Sequence, residues 1–429
     1  MERMQNIVVV GAGFGGLHAA LRLARKLKKA KLHDRYTVIL IDRNAYHTFT
    51  PLLYEIACTS RTSADDETLE SLVGFPIDEL VRGSSVEFVN EEVRRINFVE
   101  QTVDCKSRSF SFAYCIIALG AEPDYFAIPG LKEAALPLKT LKDALVLRDA
   151  VMDLLKKSTG EMLHIVVAGG GPTGVEIAGE MKMWACALTA EAASQSALHV
   201  SIVDANPSVL SSFDQRVQAR VTARLRKLGV GILARERVKR VYGSHILLES
   251  GEKLHHDLLI WTGGVRANAA AESFAVEKEP RGRIMVGQDT SCIFPNQSIP
   301  ASERVYAIGD VACLMNPHTK NPAPGAARPA IMQARVAADS VFAAIAREEQ
   351  LPKIPALRAY RHRTYPYVVP VGGRYAVTKM GPLVIRGFVG WLVKNAIELN
   401  YFFSIMPFRK ALGIWLKGVR IFMKNDRLE

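Results

Sequence analysis

One short pattern occurs twice in the chain, and few folds accommodate it. Ile7-Val8-Val9-Val10 runs into Gly11-Ala12-Gly13-Phe14-Gly15-Gly16, and 158 residues later Ile165-Val166-Val167-Ala168 runs into Gly169-Gly170-Gly171-Pro172-Thr173-Gly174. Each copy is an apolar β-branched run, then G-x-G-x-x-G, then a helix-compatible stretch, residues 17 to 29 in the first and 175 to 189 in the second. The order reads as strand, tight turn, helix. The first glycine allows the turn, the second lets the backbone approach a pyrophosphate, and the third lets helix and strand pack closely. Backbone N–H groups and the helix dipole then attract phosphate. A single copy is weak, because glycine-rich turns are common. Two copies in the same context point to two dinucleotide-binding units.

Each copy is followed by a strand that ends in an acid, Asp42 after Tyr36 to Ile41 and Asp204 after Val200 to Val203. Either carboxylate is placed to accept hydrogen bonds from a ribose diol. Ala205 and Asn206 come next, with no cation to hold a 2′-phosphate, which favours NADH over NADPH. A third element, Glu303 to Gly309-Asp310, is a strand running into Gly-Asp, and a helical stretch from Pro329 to Ala346 follows. Asp310 is suited to the ribityl and phosphate end of a flavin dinucleotide. The strands ending at Gly120 and at Gly263-Gly264 let backbone approach a flat ring. The expected architecture is α/β, with two Rossmann-like dinucleotide-binding domains and a C-terminal helical, membrane-associated segment. The FAD domain is discontinuous, residues 1–120 and 275–350, with the NADH domain, 121–274, inserted; residues 351–429 form the segment.

The length, 429 residues, suits two or three domains, and 49% hydrophobic against 23% charged residues excludes a disordered chain. Six scattered cysteines, with no Cys-x-x-Cys pair, argue against a disulfide framework, a zinc site or a redox dithiol. The first residues read as a buried strand rather than a secretory signal. The net charge of +12 raises the question of an acidic partner. Residues 351–429 hold 14 Lys and Arg against three acids, so +11 of the +12 lies there and the rest of the chain is nearly neutral.

Within that segment, residues 386–405 are apolar but carry Lys394, Asn395, Glu398 and Asn400, a poor membrane span. After Met406-Pro407, Phe408, Leu412, Trp415, Leu416, Val419, Phe422 and Met423 recur at steps of three and four, opposite Lys410, Lys417, Arg420 and Lys424. Such a helix is suited to lie in the interface of an anionic membrane. No nucleic-acid motif accompanies the basic residues, so nucleic acid is not expected as a partner.

The motifs together resemble the two-dinucleotide-binding-domain flavoproteins and, within them, the type II NADH:quinone oxidoreductases. The closer resemblance rests on Tyr46-His47-Thr48-Phe49-Thr50-Pro51-Leu52-Leu53-Tyr54-Glu55-Ile56-Ala57, on Gly169 to Glu180, on Trp261 to Asn268, on Gly282 to Val286 and on Tyr306 to Asp310. It covers roughly residues 5 to 340 and continues more loosely beyond. The resemblance implies non-covalent FAD held by Gly11, Gly13, Gly16, Asp42, Gly120, Gly309, Asp310 and Ala327. It implies NADH held by Gly169, Gly171, Gly174, Asp204 and Gly263, and Glu176 as the catalytic carboxylate where nicotinamide, flavin and quinone meet. No metal is implied.

The quinone site of such enzymes carries an Ala-Gln-x-Ala-x-Gln or Ala-Pro-x-Ala-x-Gln-Gln pattern. Here Arg328 and Met332 occupy the diagnostic positions and Gln333 alone remains of the glutamine pair. The implied reaction is oxidation of NADH with two-electron reduction of a membrane quinone, without proton pumping. The enzyme would lie peripherally on the cytoplasmic face of a cell membrane or on an organellar inner membrane, with a homodimer as a candidate assembly. Alternatives are a flavoprotein reductase of sulfide:quinone or ferredoxin type, or a weakly catalytic NADH-responsive flavoprotein. His47, Tyr54 and Cys58 read as packed residues of the loop beside the flavin, and Glu180 as an ordinary helix residue.

Overall fold

The computed structural model describes residues 4–158, 160–191, 197–296, 299–357 and 359–425; Arg358, Asp426, Arg427 and Glu429 of the basic segment, and the side chain of Cys186, lie outside them. The chain divides into two compact units. The first comprises Met1–His47, Phe75–Glu122 and Val265–Arg363, the second Thr48–Gly74, Pro123–Gly264 and Thr364–Glu429.

The first unit is built on a five-stranded parallel sheet whose central strand is the first apolar run. Its order is Val305–Ala307, Tyr114–Ile117, Gln5–Val10, Tyr36–Asp42, Val86–Asn90. Runs of β-branched residues buried on both faces are what a covered parallel sheet requires. Val10 pairs with both Ile41 and Ile117, so Gly11, Asp42 and Ala118 emerge at one edge. The Phe14–Lys29 helix packs against the Ala327–Glu348 helix. There the buried Asp339 accepts from Arg22 at 2.9 and 3.0 Å and meets Lys26 at 3.0 Å.

The second unit repeats the plan: Ala135–Pro137, Leu258–Trp261, Leu163–Ala168, Leu198–Asp204, Gly231–Ala234, again parallel. Ala168 pairs with Val203 and Trp261, which brings Gly169, Asp204 and Thr262 to the corresponding edge.

No sequence signal announces what else this unit contains. Residues 48–74 belong to it, and the segment after Thr364 opens with a three-stranded antiparallel sheet, Tyr367–Pro370, Ala376–Met380 and Leu383–Gly387. Two helices follow, Phe388–Ile405 and Phe408–Asn425. No helix among the described residues is long and apolar enough to cross a membrane.

The penultimate helix, Phe388–Ile405, is inverted relative to an ordinary amphipathic helix. Trp391, Lys394, Asn395, Glu398, Tyr401, Phe402 and Ile405 form its buried face, whereas Phe388, Val389, Leu392, Ile397 and Phe403 are exposed. The charges that make it a poor span therefore point inward. The Phe408–Asn425 helix buries Ala411, Gly418 and Ile421 against its neighbours, leaving Phe408 and Leu416 exposed, while Trp415 Nε1 donates to the Asn395 carbonyl at 3.1 Å. Of the apolar stripe read from the sequence, Leu412, Trp415, Val419, Phe422 and Met423 are half-buried and none is fully buried.

The penultimate helix crosses its sheet at Gly390, where a Cβ would stand 2.2 Å from the Ala376 carbonyl oxygen. Gly390→Ala should force the helix off the sheet and destabilise the second unit by about 1–3 kcal/mol, the usual cost of overpacking. A melting temperature several degrees lower, with earlier proteolysis after residue 380, is the expected result.

Candidate functional site

The two glycine loops are built on the same plan. In the first, Gly11 has φ +102°, and a Cβ on it would lie 2.4 Å from the Ala118 carbonyl oxygen. A Cβ on Gly16 would lie 1.7 Å from the Gly11 oxygen, so helix and strand meet at van der Waals contact. Gly13 has no neighbouring atom within 4 Å of its Cβ position and leaves the backbone open to a ligand. The second loop gives Gly169 at φ +119° against the Thr262-Gly263 backbone, Gly174 with its Cβ position 1.8 Å from the Gly169 oxygen, and Gly171 open in the same way.

The two acids are clamped identically. Asp42 accepts at Oδ2 from Ala12 N at 2.7 Å and at Oδ1 from Asn44 N and Nδ2 at 2.8 and 3.2 Å. Asp204 accepts at Oδ2 from Gly170 N and at Oδ1 from Asn206 N and Nδ2 at 2.6 and 2.8 Å. Each carboxylate braces its glycine loop, with an asparagine two residues on as counterpart. The sequence carries this as a repeated Asp-x-Asn, a signal that reading the acids as ribose ligands alone passes over. For Asp42, burial pushes the carboxyl above its ordinary range, against the pull of the Ala12 and Asn44 amides.

In the first unit, a cleft of about 210 Å³ opens between Gly11, Gly13, Asp42, Asn44, Glu91 and Gly120. Gly120 and Gly309 both have positive φ, +71° and +74°. Asp310 follows, its carboxylate 3.2 Å from the Cβ position of Gly325. The Ala327–Glu348 helix places Ala327 and Arg328 in its first turn, Arg328 exposed and Met332 partly buried against the core. Gln333 is buried, and its Oε1 accepts from Gly309 N at 2.6 Å, tying the Gly-Asp turn to the helix. His47, also buried, has Nδ1 2.9 Å from the Ala12 carbonyl; burial holds the imidazole near 4, so it stays neutral and donates there.

Glu176 belongs to the second unit. Its helix, Pro172–Glu191, starts earlier than the sequence suggests, so Glu176 lies in the second turn and cannot serve the helix N-terminus as a first-turn carboxylate. It belongs to a charge cluster that sequence reading missed. Lys394 Nζ bonds Glu55 Oε1 and lies 3.0 Å from Glu398 Oε1, all three residues at most 7% exposed. Tyr54 donates its hydroxyl to Glu55 at 2.8 Å, and its ring lies 5.8 Å from the Lys394 ammonium. Glu55 Oε2 is buried with no partner, a position where a water or a proton is needed.

Burial opposes the charge on Lys394, but Glu398 and Glu55 outweigh it and raise its pKa. Burial, with Glu55 and Glu398 adding repulsion and Lys394 opposing, lifts Glu176 to about 8, though part of its surface remains open to solvent. Glu398 is lifted to about 7, chiefly by burial. Only the i, i+4 spacing of Lys394 and Glu398 was visible in the sequence.

Glu180 is not an ordinary helix residue. Buried, it accepts from Gly373 N at 3.1 Å, fastening the C-terminal segment to the Pro172–Glu191 helix. Nearby, Gly179 leaves only 2.9 Å between its Cβ position and Gly372 N. Cys58 is buried, and burial followed by the Glu180 and Glu55 charges raises its thiol pKa well above normal, which suits an inert thiol.

Lys394→Met should leave two buried carboxylates without a counter-charge and cost about 3–5 kcal/mol. Adding Glu55→Gln and Glu398→Gln should restore much of the lost melting temperature. For Glu176 the folded pKa is raised, so between about 4.3, the unfolded value, and about 8 the folded state binds the extra proton. Stability then falls as pH rises through that window. Glu176→Gln should remove this slope, so that its melting temperature gains on the parent from pH 5 to pH 8 and keeps that lead above.

The fold and loops have counterparts among known proteins. The type II NADH:quinone oxidoreductase Ndh of Mycobacterium tuberculosis is 28% identical, with 99% of this chain and 89% of that protein covered. The type II NADH:quinone oxidoreductase of Haemophilus influenzae is 27% identical over 79% of this chain and 80% of its own length. NDH2 from Plasmodium falciparum, solved in complex with NADH, superposes with a TM-score of 0.80 at 18% identity, covering 97% of this chain and 98% of the other. Residues 5–340 match the family described as pyridine nucleotide-disulphide oxidoreductase, and the chain belongs to that family.

Proposed function

We propose that the chain is a type II NADH:quinone oxidoreductase: it takes two electrons from NADH through non-covalent FAD and delivers them to a membrane quinone. In balance, NADH, one proton and quinone become NAD⁺ and quinol. The observation that carries this is the matched pair of clamped glycine loops, one in each unit, in a chain aligned almost end to end with a type II relative. Two such loops suit one resident and one exchanging dinucleotide.

FAD belongs to the first unit, over Gly11, Gly13, Gly16, Asp42, Gly120, Gly309, Asp310 and Ala327. The open face at Gly13 and the positive-φ turns at Gly120 and Gly309 fit a pyrophosphate and a flat ring at close range. NADH belongs to the second, over Gly169, Gly171, Gly174, Asp204 and Gly263. Flavin, when bound, supplies the hydride-accepting chemistry. The chain's own task is to bind, orient and supply protons.

Glu176 is the acid we assign to proton delivery, since a carboxyl lifted to about 8 keeps its proton at neutral pH. Glu398, at about 7, with Lys394 and Glu55 forms the reserve behind it. Arg328, Met332 and Gln333 are assigned to the quinone; Arg328 supplies a donor where relatives carry glutamine, and Gln333 supports the turn. Cys58 has no Cys-x-x-Cys partner in the sequence, which weighs against sulfide chemistry. The exposed apolar face of the penultimate helix supports a peripheral position on a membrane.

Purified, flavin-loaded protein mixed anaerobically with NADH should bleach, and a short-chain quinone should restore its colour rapidly. Bleaching without recovery would remove the quinone from the reading. Glu176→Gln should lower kcat about tenfold or more. The parent's kcat should decline above about pH 8, where Glu176 loses its proton, and this limb should be absent in the variant.

A further inference from the structure

A second cavity in the second unit, about 820 Å³, is lined by Arg220, Arg224, Lys227, Arg374, Tyr375, Arg386, Gly387 and Phe388, five cations and no acid. Arg220, Arg224 and Lys227 lie on one face of the Gln215–Lys227 helix, at steps of four and three. Arg374 comes from the turn between the Tyr367–Pro370 and Ala376–Met380 strands, and Arg386 from the Leu383–Gly387 strand.

The roles of the five cations differ. Arg224 is buried and fixed: it donates from Nε to the Val371 carbonyl and from Nη2 to the Gly372 carbonyl, each at 3.3 Å, with its guanidinium 4.7 Å from the Tyr375 ring centre. It forms the floor. Arg220, Lys227, Arg374 and Arg386 make no ion pair among the described residues, whereas the neighbouring Arg216 and Lys379 share Asp214 as a partner. Arg374 Nε is buried without an acceptor, a donor whose desolvation calls for an anion or water.

The cavity is separate from the nucleotide loop. Asp204 marks the C-terminal edge of the parallel sheet, and the 13-residue helix that follows returns about 20 Å to the opposite edge before Gly231. Phosphates held at Gly169–Gly174 lie at the far end of that helix from Lys227.

What adjoins the cavity is apolar. Leu383, Phe388, Val389 and Leu392 are each about half exposed at its rim and along the penultimate helix. A pocket of unpaired cations beside a strip of exposed apolar side chains matches one kind of molecule, with a phosphate at one end and hydrocarbon at the other. We infer that this cavity binds the phosphate headgroup of an anionic phospholipid while the apolar face of the penultimate helix meets its acyl chains. The inference rests on the membrane-docking reading above and moves the charged contact from the last helix to this pocket.

The test is flotation of the full-length protein with vesicles of 30 mol% phosphatidylglycerol in phosphatidylcholine, and with phosphatidylcholine alone. A cation at an anionic surface contributes about fivefold in binding, so R374Q/R386Q should weaken binding to the anionic vesicles at least about tenfold. R420Q/K424Q, which removes equal charge from the last helix, should weaken it no more than about threefold. R220Q/K227Q should match R374Q/R386Q, and both should oxidise NADH with a water-soluble quinone at the parent rate, which shows that they fold.

Equal losses in the pocket and last-helix variants would overturn the pocket and leave docking by diffuse charge. Failure of the parent to float with anionic vesicles would overturn the docking reading itself. Unchanged flotation of R374Q/R386Q, together with a melting-temperature rise in millimolar inorganic phosphate that this variant loses, would make the ligand a free phosphate and overturn the lipid.

Discussion

Burying the ammonium of Lys394 commits separate stretches of chain to one another. Its partners are Glu55, on a short helix more than 300 residues earlier, and Glu398, one turn along its own helix. Lys394 cannot be removed alone without stranding two carboxylates in a dry interior, where an uncompensated ion is far costlier than a lost surface contact. The C-terminal segment is thereby a structural part of the second unit. Glu180 holding Gly373 and the close approach of Gly179 to Gly372 reinforce the same attachment from the nucleotide-binding helix. Glu176, on that helix, takes its raised pKa partly from this cluster.

The parallel sheets and the glycine loops were legible from the chain because their cause is local. β-branched runs, glycines at fixed spacing and following helical stretches each impose geometry within a dozen residues, and both copies fold as their pattern dictates. The Asp-x-Asn clamps were equally local and went unread, since Asp42 and Asp204 look complete as ribose ligands. The charge cluster was different in kind. Nothing near Glu55 announces that residue 394 will neutralise it, and Lys394 in an apolar stretch reads as an interruption. Gln333 illustrates a third case: a glutamine that the family resemblance assigns to the quinone site spends its carbonyl on the Gly309 amide.

The two units also show how one solution is reused for a resident and an exchanging cofactor. In each, the carboxylate at the end of the second strand fastens the loop amide, and the open glycine beside it faces outward. The loops are held rigid before any dinucleotide arrives, so less ordering accompanies binding. The expected difference between the sites lies in what surrounds them, such as the Gly309-Asp310 turn and the Gln333 tie of the first unit.

The inward charge of the penultimate helix bears on how a soluble form of the protein would be engineered. Cutting the chain before residue 386, an obvious way to discard a greasy end, also discards the only ammonium bonded to Glu55 among the described residues and the helix that covers it. Such a truncate would carry a naked carboxylate next to Tyr54 and an altered environment at Glu176. Its loss of activity would then say little about lipids. Replacing the outward Phe388, Val389 and Leu392 with polar residues, and keeping Lys394 and Glu398, separates solubility from catalysis.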